Sequence, residues 1–84
     1  LRLSRGLGDV YKRQYQDSIE TFNSLLNNFP ENKRTPESFF KLGLNFLQLE
    51  DKTSARSNFN NVIQNYPESS AAILSEEELV KLDN

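Results

Sequence analysis

Acidic side chains are the abundant candidates for chemistry in this 84-residue chain, which contains 12 Asp and Glu but no histidine and no cysteine. Histidine is the commonest general base and metal ligand, and a cysteine thiolate is a strong nucleophile, so all three roles lack a residue that often fills them. Glu76, Glu77 and Glu78 are consecutive, and consecutive residues of a helix point about 100° apart. They cannot converge on one metal ion or substrate, and a solvated helix face is the interpretation that fits them. We therefore predict no enzyme activity, no catalytic residue, no cofactor and no metal site.

The remaining polar motifs do not indicate phosphate or nucleic acid binding. Gly6-Leu7-Gly8 has neither the preceding strand nor the following lysine of a phosphate-binding loop. Lys33-Arg34 is the only adjacent basic pair beyond residue 14, and contacts with a nucleic acid backbone need clustered Lys and Arg. No run of the sequence approaches the roughly 18 apolar residues of a membrane span. The sequence therefore predicts a protein partner, with no nucleic acid and no membrane span.

Apolar residues recur at steps of three or four from Tyr15 onward, which is the period of an amphipathic helix. This spacing, interrupted by Pro30 and Pro67, predicts four helices at about 15–29, 36–49, 52–66 and 70–82. The expected core-facing residues are Ile19, Phe22, Leu25, Leu26 and Phe29 in the first helix, and Ala72, Ile73, Leu79 and Leu82 in the fourth. Thr35 is expected to cap the second helix, with Pro36 in its first turn. No strand pattern appears, so the predicted fold class is all-α.

An internal repeat links the first and third helices. FNSLLNNFPE (Phe22–Glu31) aligns without gaps to FNNVIQNYPE (Phe59–Glu68). Together with the second helix, these segments resemble the tetratricopeptide repeat, a helical hairpin of about 34 residues that stacks into a solenoid. The signature positions are Ser18, Phe22, Pro30, Phe39, Leu42, Gly43, Phe46, Ala55, Phe59 and Pro67. The resemblance implies a fragment of a right-handed solenoid, with about one and a half repeats and a C-terminal capping helix.

Small residues at Gly43 and Ala55 predict that the second and third helices cross closely, with aromatic side chains beside the crossing. Stacked hairpins form a concave groove lined by the first helix of each repeat. The residues expected to line this predicted groove are Glu37, Phe40, Lys41, Leu44, Leu47 and Gln48. Three of them are apolar, which suits an amphipathic helix or an extended hydrophobic segment as the ligand. The alternative is that Phe40 and Leu44 pack on the first helix of a preceding repeat.

The linker between the first two helices carries a finer resemblance. NFPENKRTPESFFKLGLNF has an aromatic-Pro pair, a short polar linker, a second proline, an aromatic residue and Leu-Gly. It resembles the C-terminal repeat region of the Tol–Pal system protein YbgF family, also called cell division coordinator CpoB, with phenylalanine in place of the family's tyrosine. The resemblance covers residues 15–84.

That resemblance implies a periplasmic scaffold that binds TolA and coordinates outer-membrane constriction with peptidoglycan synthesis in cell division. It also implies a signal peptide, earlier repeats and a trimerising coiled coil upstream, and hence a homotrimeric parent. Two alternatives stay open. One is an adaptor of another envelope machine, such as a BamD-like outer-membrane assembly lipoprotein, and the other is a non-catalytic repeat module of a larger protein.

Residues 1–14 differ in character from the rest of the chain. SRGLGDVYKRQ (Ser4–Gln14) shows no apolar period of 2 or 3.6, and it resembles the translation of a transposase-type sequencing adapter. We therefore interpret residues 1–14 as non-native sequence fused to a fragment that starts at Tyr15, and expect them to be disordered or fortuitously helical. They hold four basic side chains and one acidic side chain, so without them the formal net charge falls from −2 to −5.

Overall fold

Four α-helices joined by short loops make up the part of the chain that the structure describes. The computed structural model describes residues 5–83, with α1 at Arg5–Asn28, α2 at Thr35–Gln48, α3 at Lys52–Asn65 and α4 at Ser70–Asp83. Each helix packs on the next one along the chain, and α2 also contacts α4. Between residues 5 and 83 there is no strand. The predicted all-α class is confirmed, and apart from the start of α1 every helix boundary lies within about one residue of its prediction.

The first helix begins at Arg5, ten residues before the predicted start at Tyr15, so residues 5–14 adopt the helical one of the two states expected for them. Extending an existing helix adds one hydrogen bond for each residue that is ordered, and residues 5–14 contain no proline to stop it. All side chains from residue 9 to residue 14 are exposed. Leu1–Ser4 lie outside the described residues, and the non-native origin of residues 1–14 stays a prediction.

The core lies where α2, α3 and α4 meet. Its buried apolar residues are Leu42, Ala55, Phe59, Val62, Ala71 and Ala72. The ring of Phe40 lies 5.7 Å from that of Phe59, centroid to centroid. A Cβ atom added to Gly43 would lie 2.5 Å from Cε1 of Phe59, so α2 crosses α3 with glycine directly over this ring. The predicted close crossing at Gly43 is therefore confirmed.

Three residues predicted to face the core are exposed instead. Leu25 of α1 is 45% exposed, Phe29, which directly follows α1, is 61% exposed, and Ile73 of α4 is 61% exposed. Within residues 5–83, α2 is the only helix that packs on α1, so part of the apolar face of α1 has no neighbour. On α4, the residues buried in the contact are the small Ala71, Ala72 and Ser75, which turns Ile73 toward solvent.

The loop between α1 and α2 is closed by side-chain hydrogen bonds. Thr35 is fully buried at the first position of α2, where its Oγ1 accepts from the Asn32 backbone N–H at 3.0 Å and donates to the Pro30 carbonyl at 3.2 Å. The Asn32 side chain donates to the Phe29 carbonyl and accepts from the Arg34 backbone N–H, both at 2.7 Å. The prediction that Thr35 caps α2 is wrong, because its hydroxyl bonds backward into the loop and Arg34 occupies the cap position without a side-chain bond.

Replacing Thr35 with valine is expected to lower the free energy of unfolding by about 1–2 kcal/mol, because the Asn32 N–H loses its acceptor while the side-chain volume stays the same. Urea denaturation followed by circular dichroism measures the change. Thr53→Val, at an exposed threonine in the first turn of α3, is the matched control and should stay within about 0.5 kcal/mol of the wild type. Equal stabilities of the two variants would contradict the prediction.

The second helix ends in a left-handed residue that is not glycine. Glu50 has φ 62°, its N–H donates to the Leu47 carbonyl at 2.9 Å, and the Asp51 N–H donates to the Phe46 carbonyl at 2.9 Å. This pair of bonds is the Schellman motif, in which glycine is the usual residue at the left-handed position. A side chain there brings Cβ close to the following carbonyl oxygen.

Replacing Glu50 with glycine is therefore expected to raise the free energy of unfolding by about 0.5–1 kcal/mol. Glu50→Ala serves as the control, because it removes the same charged side chain but keeps the Cβ atom in the left-handed conformation. Thermal unfolding of both variants separates the effect of the lost charge from the effect of the backbone conformation. A gain with alanine as large as the gain with glycine would show that the charge, and not the backbone, limits stability.

The third helix begins with a charged cap. Asp51 accepts a hydrogen bond from the Ser54 backbone N–H at 3.1 Å. Hydrogen bonding with Ser54 lowers the pKa of the Asp51 carboxyl below its ordinary value of 3.8. A carboxyl whose pKa is lowered by folding contributes stability above its ordinary pKa, and this contribution is lost as the pH falls through the lowered value.

Asp51→Asn is expected to make the decline of stability with falling pH shallower below about pH 4, because asparagine caps a helix but does not titrate there. Near pH 7 the variant and the wild type should unfold at similar urea concentrations. The measurement is a series of urea denaturation curves over this pH range. If the stabilities of the two proteins decline equally steeply with falling pH, the Asp51 cap makes no contribution.

Candidate protein-interaction groove

An apolar depression lies between the C-terminal half of α1 and the N-terminal half of α2. It has a volume of about 360 Å³ and is lined by Phe22, Leu25, Phe29, Asn32, Arg34, Glu37, Ser38 and Lys41. We call it the α1–α2 groove. Its floor consists of the large apolar side chains of Phe22 and Leu25 in α1 and of Phe29 directly after it, and its rim consists of polar side chains from the loop and from α2. An exposed apolar depression with a polar rim is typical of a protein-binding surface.

The rim on the α2 side carries an ion pair. Lys41 Nζ lies 3.0 Å from Glu37 Oε1, one helical turn away, and both side chains are about half exposed. The hydrogen bond and the positive charge of Lys41 lower the pKa of Glu37, and Arg34 adds to the effect. Glu37 is therefore ionised at neutral pH. The net charge of the Glu37–Lys41 pair is close to zero. Arg34 and the adjacent Lys33 therefore make the loop end of the groove positive.

The structure separates the six residues that were predicted to line one groove. Glu37 and Lys41 lie on the rim of the α1–α2 groove, whereas Phe40 packs on the core cluster and on Phe59. Leu44 and Leu47 are half-buried, and Gln48 is exposed. Phe40 is partly buried, because its ring packs on Phe59 at the helix crossing, and its role in binding stays a prediction.

The floor of the α1–α2 groove comes from residues that the sequence predicted as core. Phe22, Leu25 and Phe29 align with Phe59, Val62 and Tyr66 of the internal repeat. Phe59 and Val62 are fully buried, while Phe22 is half-buried and Leu25 is 45% exposed. The repeat alignment itself is the signal that could have revealed this floor, because α3 has two helices packed on it and α1 has one.

Two other polar groups of the described residues are shielded from water. Burial, and secondarily the Glu31 carboxylate, raises the pKa of the Tyr66 phenol, so this group is protonated at neutral pH. The Ser75 hydroxyl is buried without a hydrogen-bond partner, next to small side chains of its own helix. Residues 5–83 contain no group of three or more side chains able to hold a metal ion. None of their helices is long and apolar enough to cross a membrane.

Comparison with known proteins gives one match. The family model of the tetratricopeptide repeat matches residues 6–32 and 37–69, well over half of the chain. The first segment covers nearly all of α1 and part of the loop that follows, and the second covers α2 from its third residue, α3 and nearly all of the turn before α4. No curated protein and no solved structure matches the chain.

Proposed function

Because the chain belongs to the tetratricopeptide repeat family, we propose that it is a protein-interaction module that binds a partner through the α1–α2 groove. Proteins of this family are typically non-catalytic scaffolds. The observation that carries the proposal is the exposed apolar floor of the groove, where Leu25 and Phe29 are 45% and 61% exposed. Leaving such area in water costs roughly 25 cal/mol per Å², and a bound partner removes that cost.

The partner that we propose is TolA, with the chain acting as a periplasmic scaffold of the Tol–Pal system in cell division. What supports this assignment is the resemblance of residues 15–84 to the C-terminal repeat region of the YbgF (CpoB) family. The resemblance is strongest in the aromatic-Pro pair Phe29-Pro30, the polar linker to Thr35, and Leu42-Gly43. The proposal also includes the homotrimeric parent that the same resemblance implies.

Titration of the chain with purified TolA by isothermal calorimetry tests both the proposed partner and the proposed binding site. We expect the wild type to bind and Leu25→Asp to lose at least about tenfold in affinity, because a carboxylate on the groove floor must be desolvated. Leu74→Asp is the matched control, since Leu74 of α4 is 44% exposed against 45% for Leu25. It should bind as the wild type does.

The outcomes distinguish a wrong partner from a wrong binding site. No binding of TolA to the wild type would overturn the Tol–Pal assignment and favour an adaptor of another envelope machine or a module of a larger protein. Equal affinities of Leu25→Asp and the wild type for TolA would instead show that the partner contacts a different surface. Circular dichroism of each variant verifies that the helices are intact.

A further inference from the structure

We propose that the chain has a second binding site, which takes an arginine side chain of a partner protein. The site is a depression between the α1–α2 loop and the C-terminal end of α3, and we call it the Glu31 cleft. It is lined by Pro30, Glu31, Phe39, Asn61, Asn65 and Tyr66. The inference rests on the proposed function as an interaction module and adds a contact point outside the α1–α2 groove.

The carboxylate of Glu31 is the charged group of the cleft. Glu31 is exposed in the loop and takes part in none of the ion pairs within residues 5–83. Among the described residues, no lysine or arginine lines the cleft. Arg34, three residues further along the loop, lines the α1–α2 groove instead. The cleft therefore holds a negative charge without a cation from its own chain.

The C-terminal end of α3 adds to this negative potential. Asn65 is the last residue of α3 and Tyr66 is its C-cap, and the last turn of the helix holds no basic side chain. The carbonyl groups at the end of a helix carry the negative end of its dipole, which favours a nearby cation. Pro67 follows directly and has no N–H, so it cannot donate to the Ile63 carbonyl as a further helical residue would.

Hydrogen bonds hold the polar side chains of the cleft in place. Asn65 Nδ2 donates to the Asn61 carbonyl at 3.1 Å and to Asn61 Oδ1 at 2.7 Å, which turns the Asn65 amide oxygen away from Asn61. Burial raises the pKa of the Tyr66 phenol, and the charge of Glu31 and a hydrogen bond between the two side chains raise it further. The protonated phenol therefore donates to Glu31. The cleft thus presents the Glu31 carboxylate and the Asn65 amide oxygen as acceptors for a ligand with several donors.

Two aromatic rings favour arginine over lysine as this ligand. Phe39 and Tyr66 are half-buried and both line the cleft, and Phe39 also packs against the core cluster of α3 and α4. A guanidinium is planar, stacks on aromatic rings and donates two parallel hydrogen bonds to a carboxylate. A lysine ammonium is a compact, strongly hydrated charge that cannot form this pair of parallel bonds.

The Glu31 cleft and the α1–α2 groove share one loop. Phe29 and Asn32 line the groove, and Pro30 and Glu31 between them line the cleft. A partner that binds in the groove can therefore reach the cleft with one long side chain. We expect this arginine to lie close in space to the apolar residues with which the partner contacts the groove.

The test uses N-acetyl-arginine amide, titrated into the isotope-labelled full chain and followed by nuclear magnetic resonance of the backbone amides. We expect saturable shifts at Glu31, Asn65 and Tyr66, and weaker binding of N-acetyl-lysine amide. N-acetyl-citrulline amide, which has nearly the same shape without the charge, should give no saturable shifts.

Glu31→Gln should lose about two- to fivefold in affinity for the arginine probe, the scale of an exposed ion pair. Glu68→Gln is the matched control, because Glu68 is also exposed and holds the aligned position of the internal repeat. It should bind the probe as the wild type does. In the titration with TolA, Glu31→Gln should weaken binding by the same factor.

Several results would overturn the arginine site. These are the absence of saturable shifts with the arginine probe, equal shifts with the citrulline probe, or equal affinities of Glu31→Gln and the wild type. Tighter binding of the lysine probe would overturn the choice of arginine. TolA binding that depends on Leu25, without binding of the arginine probe, would overturn the cleft and leave the proposed function standing. Binding of the arginine probe at the cleft without TolA binding would leave the cleft standing and overturn the Tol–Pal assignment.

Discussion

Replacing Phe59 with alanine is expected to lower the free energy of unfolding by about 3–5 kcal/mol, the range for removing a buried aromatic ring. Phe59 is fully buried and contacts both Gly43 and Phe40, so α2 and α3 would be left with a cavity at their crossing. A domain of this length is stable by about 4–12 kcal/mol. The variant should therefore be close to unfolded at room temperature, which urea denaturation and circular dichroism measure.

The control for this prediction is Phe22→Ala, at the equivalent position of the repeat. Phe22 is half-buried on the floor of the α1–α2 groove, so its removal should cost at most about half as much. Similar losses at the two positions would contradict the different packing of the two repeat copies. A loss below about 2 kcal/mol at Phe59 would show that the α2–α3 crossing can collapse around the missing ring.

Replacing Gly43 with leucine is the second change with a large expected effect, a loss of about 3 kcal/mol or more. Overpacking of a filled core typically costs about 1–3 kcal/mol, and here even the Cβ atom would overlap a ring that is fully buried and cannot move aside. The Gly43→Ala variant gives a sharper test, because the close crossing reverses the sign of the expected change in stability. Glycine to alanine within a helix normally stabilises by about 0.5–1 kcal/mol, whereas Gly43→Ala should destabilise by about 1 kcal/mol.

A double-mutant cycle separates the clash from other effects. Phe59→Leu shortens the side chain under Gly43, so Gly43→Ala should cost less in that background, or stabilise, with a coupling energy of at least about 0.5 kcal/mol. Additive effects of the two substitutions would mean that Gly43 and Phe59 do not limit each other. Stabilisation by Gly43→Ala in the wild-type background would contradict the crossing geometry directly.

Local sequence information was sufficient for the helices and for the crossing. Pro30 and Pro67 stop the helices because proline has no backbone N–H to donate and clashes with the preceding turn, and this holds whatever packs around them. Gly43 could be assigned to the close crossing because the repeat pattern places a small residue there. The family match and the helix boundaries from α2 onward agree with these predictions.

The sequence did not identify the floor of the α1–α2 groove. Glu37 and Lys41 line the α1–α2 groove, Phe40 packs on the core cluster, and the groove floor comes from Leu25 and Phe29, which were expected to be buried. Apolar periodicity identifies which face of a helix avoids water, but not how many helices cover that face. That number is a property of the assembled bundle.

The sequence by itself determined the all-α repeat fold, the positions where helices stop and the glycine at which two of them cross, because these depend on backbone chemistry and on spacing along one helix. Only the tertiary structure decided that Thr35 bonds into the loop instead of capping α2, that Glu50 adopts a left-handed conformation, and that α1 keeps an uncovered apolar face. Each of these depends on which groups meet in space. A hydroxyl takes the partner that packing brings within reach, and an apolar residue is buried only where a second surface covers it.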